Sequence, residues 1–361
     1  MKKIFVLLMS MLFAPAAMAQ NADWKKTWDP ILAAAQKEGK VVVSGPPSAE
    51  LRQEMPAAFK QRYGITLEYL GGRGSETATK LRAERQAGAL TVDVVIAGIQ
   101  TMATILHREK MIDPVRPVLL LPEVTDGSKW KTGKLWFSDP EDQYILRLSN
   151  TVSTTFYVNT AQIKPGDLKS AKDLLDPKWK GKIALQDPTV PGSGSNQAAQ
   201  LYLNFGEDFV KKLYIDQKPL ISRDTRQLTD WLARGSQPIS LGAEDKLAEQ
   251  LRKEGLPIEA LELPDLPGLT SAGFGQIALL NGAPHPNAAK VFVNWIASKE
   301  GSEIFSRAMT VSSTRNDIDE SFLPPRVIPK SGVKYFDTYD WEFTVTTKEK
   351  VRLRMKELLG Q

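Results

Sequence analysis

The chain has 361 residues, 47 basic against 42 acidic, a net charge of +5 and no cysteine. The absence of thiols excludes disulfides, thiolate metal sites, a cysteine nucleophile and a lipid-bearing N-terminal cysteine. Charges of both signs alternate along the chain rather than forming blocks, so the basic balance makes no case for nucleic acid.

The first residues read as an export signal. Lys2 and Lys3 form a positive start, residues 4–13 an apolar run too short to span a bilayer, and Ala17-Met18-Ala19 an A-x-A cleavage site before Gln20. Residues 1–19 are therefore expected to be removed. A mature chain of about 340 residues exceeds what one core usually serves, so two domains are expected.

From Asp29 onward short apolar runs alternate with amphipathic helices, the α/β pattern. Asp29-Pro30 is expected to start a helix that Gly39 stops. Val41-Val42-Val43 is the first strand, followed by a helix over 49–63, distorted or restarted at Pro56. A second strand over 65–70 ends in Gly71-Gly72-Arg73-Gly74-Ser75, with Ser75 expected to cap a helix over 76–87. A third strand over 92–96 is again followed by glycine, Gly98. Three such units imply a parallel sheet whose ligand-facing loops gather at the carboxyl ends of the strands.

The pattern then restarts. Strands are expected over 154–158 and 183–186, the latter followed by Asp187-Pro188 and Gly192-Ser193-Gly194-Ser195. A strand over 219–222 ends at Arg223-Asp224-Thr225, and one over 238–241 ends at Gly242. A long strand over 272–280, helices over 287–298 and 300–308, and a basic helix over 346–359 complete the chain.

Several runs carry a resemblance. They are Gly74-Ser75-Glu76, Val92-Asp93-Val94-Val95, Phe156-Tyr157-Val158-Asn159, the long run from Asp173-Leu174-Leu175-Asp176-Pro177 through Lys178-Trp179-Lys180-Gly181-Lys182, Ala288-Ala289-Lys290-Val291-Phe292 and Ser298-Lys299-Glu300-Gly301. Their shared order resembles the solute-binding proteins of ABC importers, in the branch that includes the ferric-ion-binding proteins. That resemblance implies a two-lobed periplasmic-binding fold with residues 20–150 plus 271–308 in lobe 1 and 151–270 in lobe 2. Residues 309–361 then form a C-terminal extension. The segments 154–158 and 272–280 are similar to the family's crossover strands.

The departures are as informative. The tyrosine pair that holds iron in the ferric branch would fall just after Leu241, where Gly242-Ala243-Glu244-Asp245-Lys246 stands. The early histidine site corresponds to Gly45-Pro46-Pro47, and the carboxylate to Gly98-Ile99. Ferric ion wants several anionic oxygen donors together, so iron is not expected as a direct ligand, and neither a metal nor another cofactor is expected.

Candidate solute-binding residues sit at the strand ends. Ser193, Gly194 and Ser195 combine backbone approach, hydroxyls and a helix start; in the ferric branch the similar stretch holds the anion, while the plain alternative is a flexible loop with a serine cap. Arg73, Gly74 and Ser75 offer a guanidinium beside a helix start, with a solvated arginine and a capping serine as the alternative. Arg223 completes an anion clamp, Asp224 either caps the next helix or receives an amine, and Thr225 follows. Ser44, Gly98 and Gly242 are backbone-approach positions, and Thr270 and Ser271 lie beside the hinge. The resulting expectation is a monomeric periplasmic receptor that captures a small polar or anionic solute by hinge closure. It would deliver the solute to an ABC permease and its ATPase. A ligand-presenting partner of a sensor kinase remains open. An ester hydrolase using Ser193 or Ser195 is disfavoured, because His107 and His285 occupy no suggestive position and no G-x-S-x-G run exists.

Overall fold

The computed structural model describes residues 16–153 and 156–361, with backbone alone for 16–23. Lys2, Lys3 and the apolar run 4–13 lie outside the described residues. Among the described residues, no helix is long and apolar enough to cross a membrane.

Two sheets organise the molecule. In the first, Lys40–Gly45 pairs in parallel with Thr66–Gly71 on one side and Val94–Ala97 on the other. Gln276–Leu280 then runs antiparallel to Val94–Ala97 and borders the short strands Ile112–Asp113 and Leu146–Arg147. Alternation in the first strand explains why it is apolar throughout. Val41 and Val43 face a cluster containing Phe59, Phe292 and Trp295, whereas Val42 faces Leu81, Met102 and Leu106. A parallel strand covered on both faces has no polar side. Phe59 centres the larger cluster, with ring centroids 5.6 Å from Phe292 and 5.3 Å from Trp295.

In the second sheet Ile183–Gln186, Leu220–Ser222 and Ile239–Leu241 are parallel. Phe156–Asn159 lies antiparallel beside Ile239–Leu241, with Ile258–Ala260 beyond it. Ile183, Leu185, Ile239 and Leu241 pack on Trp179, Phe209 and Leu213, and Tyr157 faces Leu232 and Ala248 on the opposite side. Each sheet thus has its own two-sided core. The molecule is a two-lobed α/β protein.

Short strands join the lobes. Thr151–Ser153 pairs antiparallel with Leu269–Ser271, so the crossing ribbon lies just upstream of the segments expected to cross. The segments 154–158 and 272–280, expected to cross because they are similar to the family's crossover strands, hold instead Phe156–Asn159 and Gln276–Leu280, integral strands of the second and first sheets. Residues 154 and 155 lie outside the described residues.

Three further elements differ from expectation. The first helix spans Ala16–Glu38 and passes straight through Pro30. Its upstream turns are pinned by packing: Trp28 is buried, and its ring lies 6.3 Å from that of Tyr63. That contact offsets the backbone bond a helical proline removes. The helix Ala49–Tyr63 likewise continues through Pro56, capped by Ser48. The helix expected to begin after Ser75 instead spans Gly74–Gln86, with Arg73 at the cap position and its N–H bonded to Glu76 Oε2 at 3.1 Å.

The C-terminal extension does more than end in a helix. Ser313 bridges to Ser149 beside the first sheet, and Phe336–Asp337 adds a parallel third strand to the crossing ribbon. Trp341 packs on His107 in the first lobe. The helix Lys348–Leu358 then buries Val351 and Met355 in the core of the second. The segment therefore touches both lobes and the ribbon between them.

Candidate functional site

Strand register gathers the first-lobe candidates at one edge. Gly45 pairs with Gly71, Ser44 with Val95, and Ala97 with Gln276, so the loops after them converge. Within that edge the side chains have distinct fates. Ser44 is buried, with Oγ 2.9 Å from Thr77 Oγ1, which ties the first strand to the helix Gly74–Gln86 that follows the second. A side chain at Gly74 would meet Thr101 Oγ1 at 2.4 Å, so the two loops pack closely here. Arg73 and Ser75 are exposed at the start of the helix Gly74–Gln86, where unpaired N–H groups and the helix dipole favour an anion. Gly98 begins the helix after the third strand. Ser271 Oγ accepts from the N–H of Gly273 at 2.9 Å, and Thr270 is buried in the ribbon.

The second-lobe edge is built the same way. Leu185 pairs with Leu241 and Gln186 with Ser222, which sets Asp187, Arg223 and Gly242 side by side. Gln186 is the keystone. Its Oε1 accepts from exposed Ser193 Oγ at 2.8 Å, and a Cβ at Gly242 (φ +116°) would lie 2.6 Å from its own Cβ. A Cβ at Gly194 would strike the Asp187 carbonyl oxygen at 2.4 Å, so both glycines are required by close approach rather than by looseness. The Ser-Gly run is thus an ordered turn into the helix Ser193–Phe205. Ser195 is buried inside the first turn and exchanges bonds with the backbone of the cap residue Gly192, which leaves Ser193 as the exposed hydroxyl.

Arg223 is oriented by a buried acid. Its Nε donates to Asp187 Oδ2 at 2.7 Å while two-thirds of the side chain stays exposed. Burial raises the Asp187 carboxyl, but bonds from Thr189 and Arg223 outweigh it and hold the group below its ordinary value. Asp187 therefore stays ionised and fixes the guanidinium at neutral pH. Asp224 accepts from Arg226 N and Gln227 N at 2.9 and 3.3 Å, the capping role, and Thr225 is the first residue of the helix it caps. Asp224 Oδ1 therefore caps the helix, one of the two roles expected of this residue.

Residues 54–325 match the family model described as bacterial extracellular solute-binding protein. The chain belongs to that family. An uncharacterized protein of Haemophilus influenzae is 26% identical over 289 residues, covering 75% of this chain and 76% of that one. Among solved structures, the periplasmic binding protein AfuA from Actinobacillus pleuropneumoniae, with exogenous fructose-6-phosphate bound, superposes with a TM-score of 0.61 at 19% identity. The match covers 89% of this chain and 99% of that one. A Bordetella ferric binding protein gives a TM-score of 0.66 at 17% identity over 88% and 98% of the two chains. The Trichodesmium protein FutA, in complex with iron and citrate, gives 0.65 at 16% over 89% and 99%. At these identities the likeness establishes a shared fold.

In this solute-binding protein the stretch after Leu241 holds no tyrosine, and both its carboxylates are engaged, Glu244 with Arg226 at 3.5 Å. Asp245 takes the Tyr157 hydroxyl and both its oxygens lie 3.0 Å from Arg326 Nη1. No group of three or more His, Cys, Asp or Glu is arranged to hold a metal among the described residues. The histidines are engaged elsewhere. His285 Nδ1 lies 2.9 Å from Asp93, at the amino end of its strand and so opposite the ligand-facing edge, and His107 packs between Tyr144 and Trp341. Sequence reasoning missed Gln186 and Asp187, which were legible as the residues ending a parallel strand.

Proposed function

We propose that this protein is the periplasmic receptor of an ABC importer, taking a small anionic solute between its lobes and handing it unaltered to a permease and its ATPase. The lobes are residues 20–150 with 271–308, and 151–270. The observation that carries the reading is the second-lobe edge, where strand register sets Arg223, held outward by Asp187, beside the exposed Ser193 and a helix start. A charge-assisted fork and unpaired N–H groups together suit a phosphate or carboxylate. Arg73 at the first-lobe helix start supplies a matching positive group across the gap, so contacts to both lobes select the closed form.

A thermal-shift panel tests this. Sugar phosphates, phosphonates and organic carboxylates are compared with neutral sugars and polyamines. An anion at about one hundred times its Kd is expected to stabilise the protein by about 2.7 kcal/mol. Stabilisation confined to neutral or cationic compounds would reject the anionic reading.

A further inference from the structure

We propose that the C-terminal extension supplies one wall of the solute site, where Tyr339 and the neighbouring Phe274 form an aromatic corner that selects a ring-bearing organic anion over a bare inorganic one. The inference rests on the reading that the solute binds between the lobes. Tyr339 lies beyond position 325, where the family match ends, and Phe274 within it.

Gly98, Ser271 and Gly273 meet at the hinge end of the first-lobe edge, and Tyr339 is seated among them. Its hydroxyl donates to the Gly273 carbonyl and is hydrogen-bonded with Ser271, and a Cβ at Gly98 would lie 3.2 Å from that hydroxyl. Gly98, one of the positions expected to meet the solute by backbone approach, therefore lies against an aromatic side chain. Burial raises the hydroxyl's pKa further above neutrality.

The ring is held rigidly. Thr338 donates to the Thr270 carbonyl from both its N–H and its Oγ1 at 2.9 Å. Arg147, only 1% exposed, reaches the Tyr339 carbonyl at 2.6 Å and Asp337 at 2.8 Å. Anchoring of this kind fixes a side chain before a ligand arrives. Phe274 lies on the turn between the crossing ribbon and the first sheet. It is 37% exposed although Ala272 and Gln276 on either side of it are buried. One wet phenylalanine is ordinary. Here it adjoins Gly273, which carries the Tyr339 bond, at the edge that also presents Arg73 and Ser75. Aromatic surface beside a few placed polar groups is the composition of a small-molecule pocket, and the apolar face of a ring is what covers it.

Calorimetric titration of the full chain with a hexose 6-phosphate and with inorganic phosphate tests the assignment. The wild type is expected to prefer the hexose phosphate, and Tyr339→Ala and Phe274→Ala to weaken that compound by roughly tenfold each while leaving inorganic phosphate unchanged. Tyr339→Phe, which keeps the ring, is expected to retain most of the preference. Phe274 is partly solvated, so its variant reads out the corner even if Tyr339→Ala unfolds the extension. An unchanged ratio of affinities in Phe274→Ala, or equal losses for both compounds, overturns the aromatic corner alone. If the wild type binds neither compound nor any other anion, the anionic reading falls and the corner falls with it.

Discussion

Replacing Arg223 with alanine is expected to weaken an anionic solute by roughly 10- to 150-fold, the equivalent of about 1.5–3 kcal/mol for hydrogen bonds to a charged group. The size follows from preorganisation. Asp187 is buried and ionised, and its bond to Nε fixes the direction in which the rest of the guanidinium points. A lysine cannot reproduce that fork, so Arg223→Lys is expected to recover only part of the loss. Asp224→Asn at the next position keeps the cap oxygen and should leave affinity unchanged. Titration calorimetry of the three variants reads the difference. Equal affinity in Arg223→Ala and the wild type would remove Arg223 from the site.

Arg315→Ala is expected to be among the most destabilising single changes, at about 3 kcal/mol. The Arg315 side chain is fully buried. Its Nε and Nη2 lie 2.8 Å from the two Asp317 oxygens, and Nη1 donates to the Glu123 and Ala297 carbonyls at 3.0 and 2.9 Å. Truncation leaves two carbonyls and a carboxylate without partners, and it opens a gap beside Trp130. Asp317 is itself partly exposed, so water recovers some of the loss, which places the effect at the low end for a buried pair. A fall in Tm of roughly 4 °C is expected for a chain of this length, with solute affinity little changed if the protein is folded at the assay temperature. A shift under about 2 °C would mean the network is not structural. The residue matters because it pins the start of the extension to the first lobe.

The sheets were legible because their strands obey local rules. Residues 183–186 matched the observed Ile183–Gln186, and Asp224 was read as a cap from its place before Leu228 and Trp231. Register did the rest: parallel strands ending in Gly71, Ala97, Gln186, Ser222 and Leu241 bring their loops together whatever lies between. What stayed hidden depends on contacts distant in sequence. Pro30 looked like a helix start because the packing of Trp28 on Tyr63 is invisible locally. Ser75 looked like a cap because nothing in the sequence says that Glu76 bonds the backbone of Arg73. The path of the extension across both lobes is fixed by Asp337 with Arg147, Trp341 with His107 and Arg354 with Glu207, pairs separated by well over a hundred residues. Ser195 illustrates the limit within a motif: the Gly-Ser run was recognised, but which serine faces inward depends on the turn at Gly192.

The chain contains no cysteine, so labels can be placed on each lobe without background. Lys80 and Asp230 are exposed on first- and second-lobe helices that start at the carboxyl edges of their sheets. With Lys80→Cys and Asp230→Cys carrying spin labels, a stabilising anion is expected to shorten and narrow the interlobe distance distribution. An identical distribution with and without saturating solute would mean that the guest is not gripped between the two halves, and the receptor mechanism would be wrong.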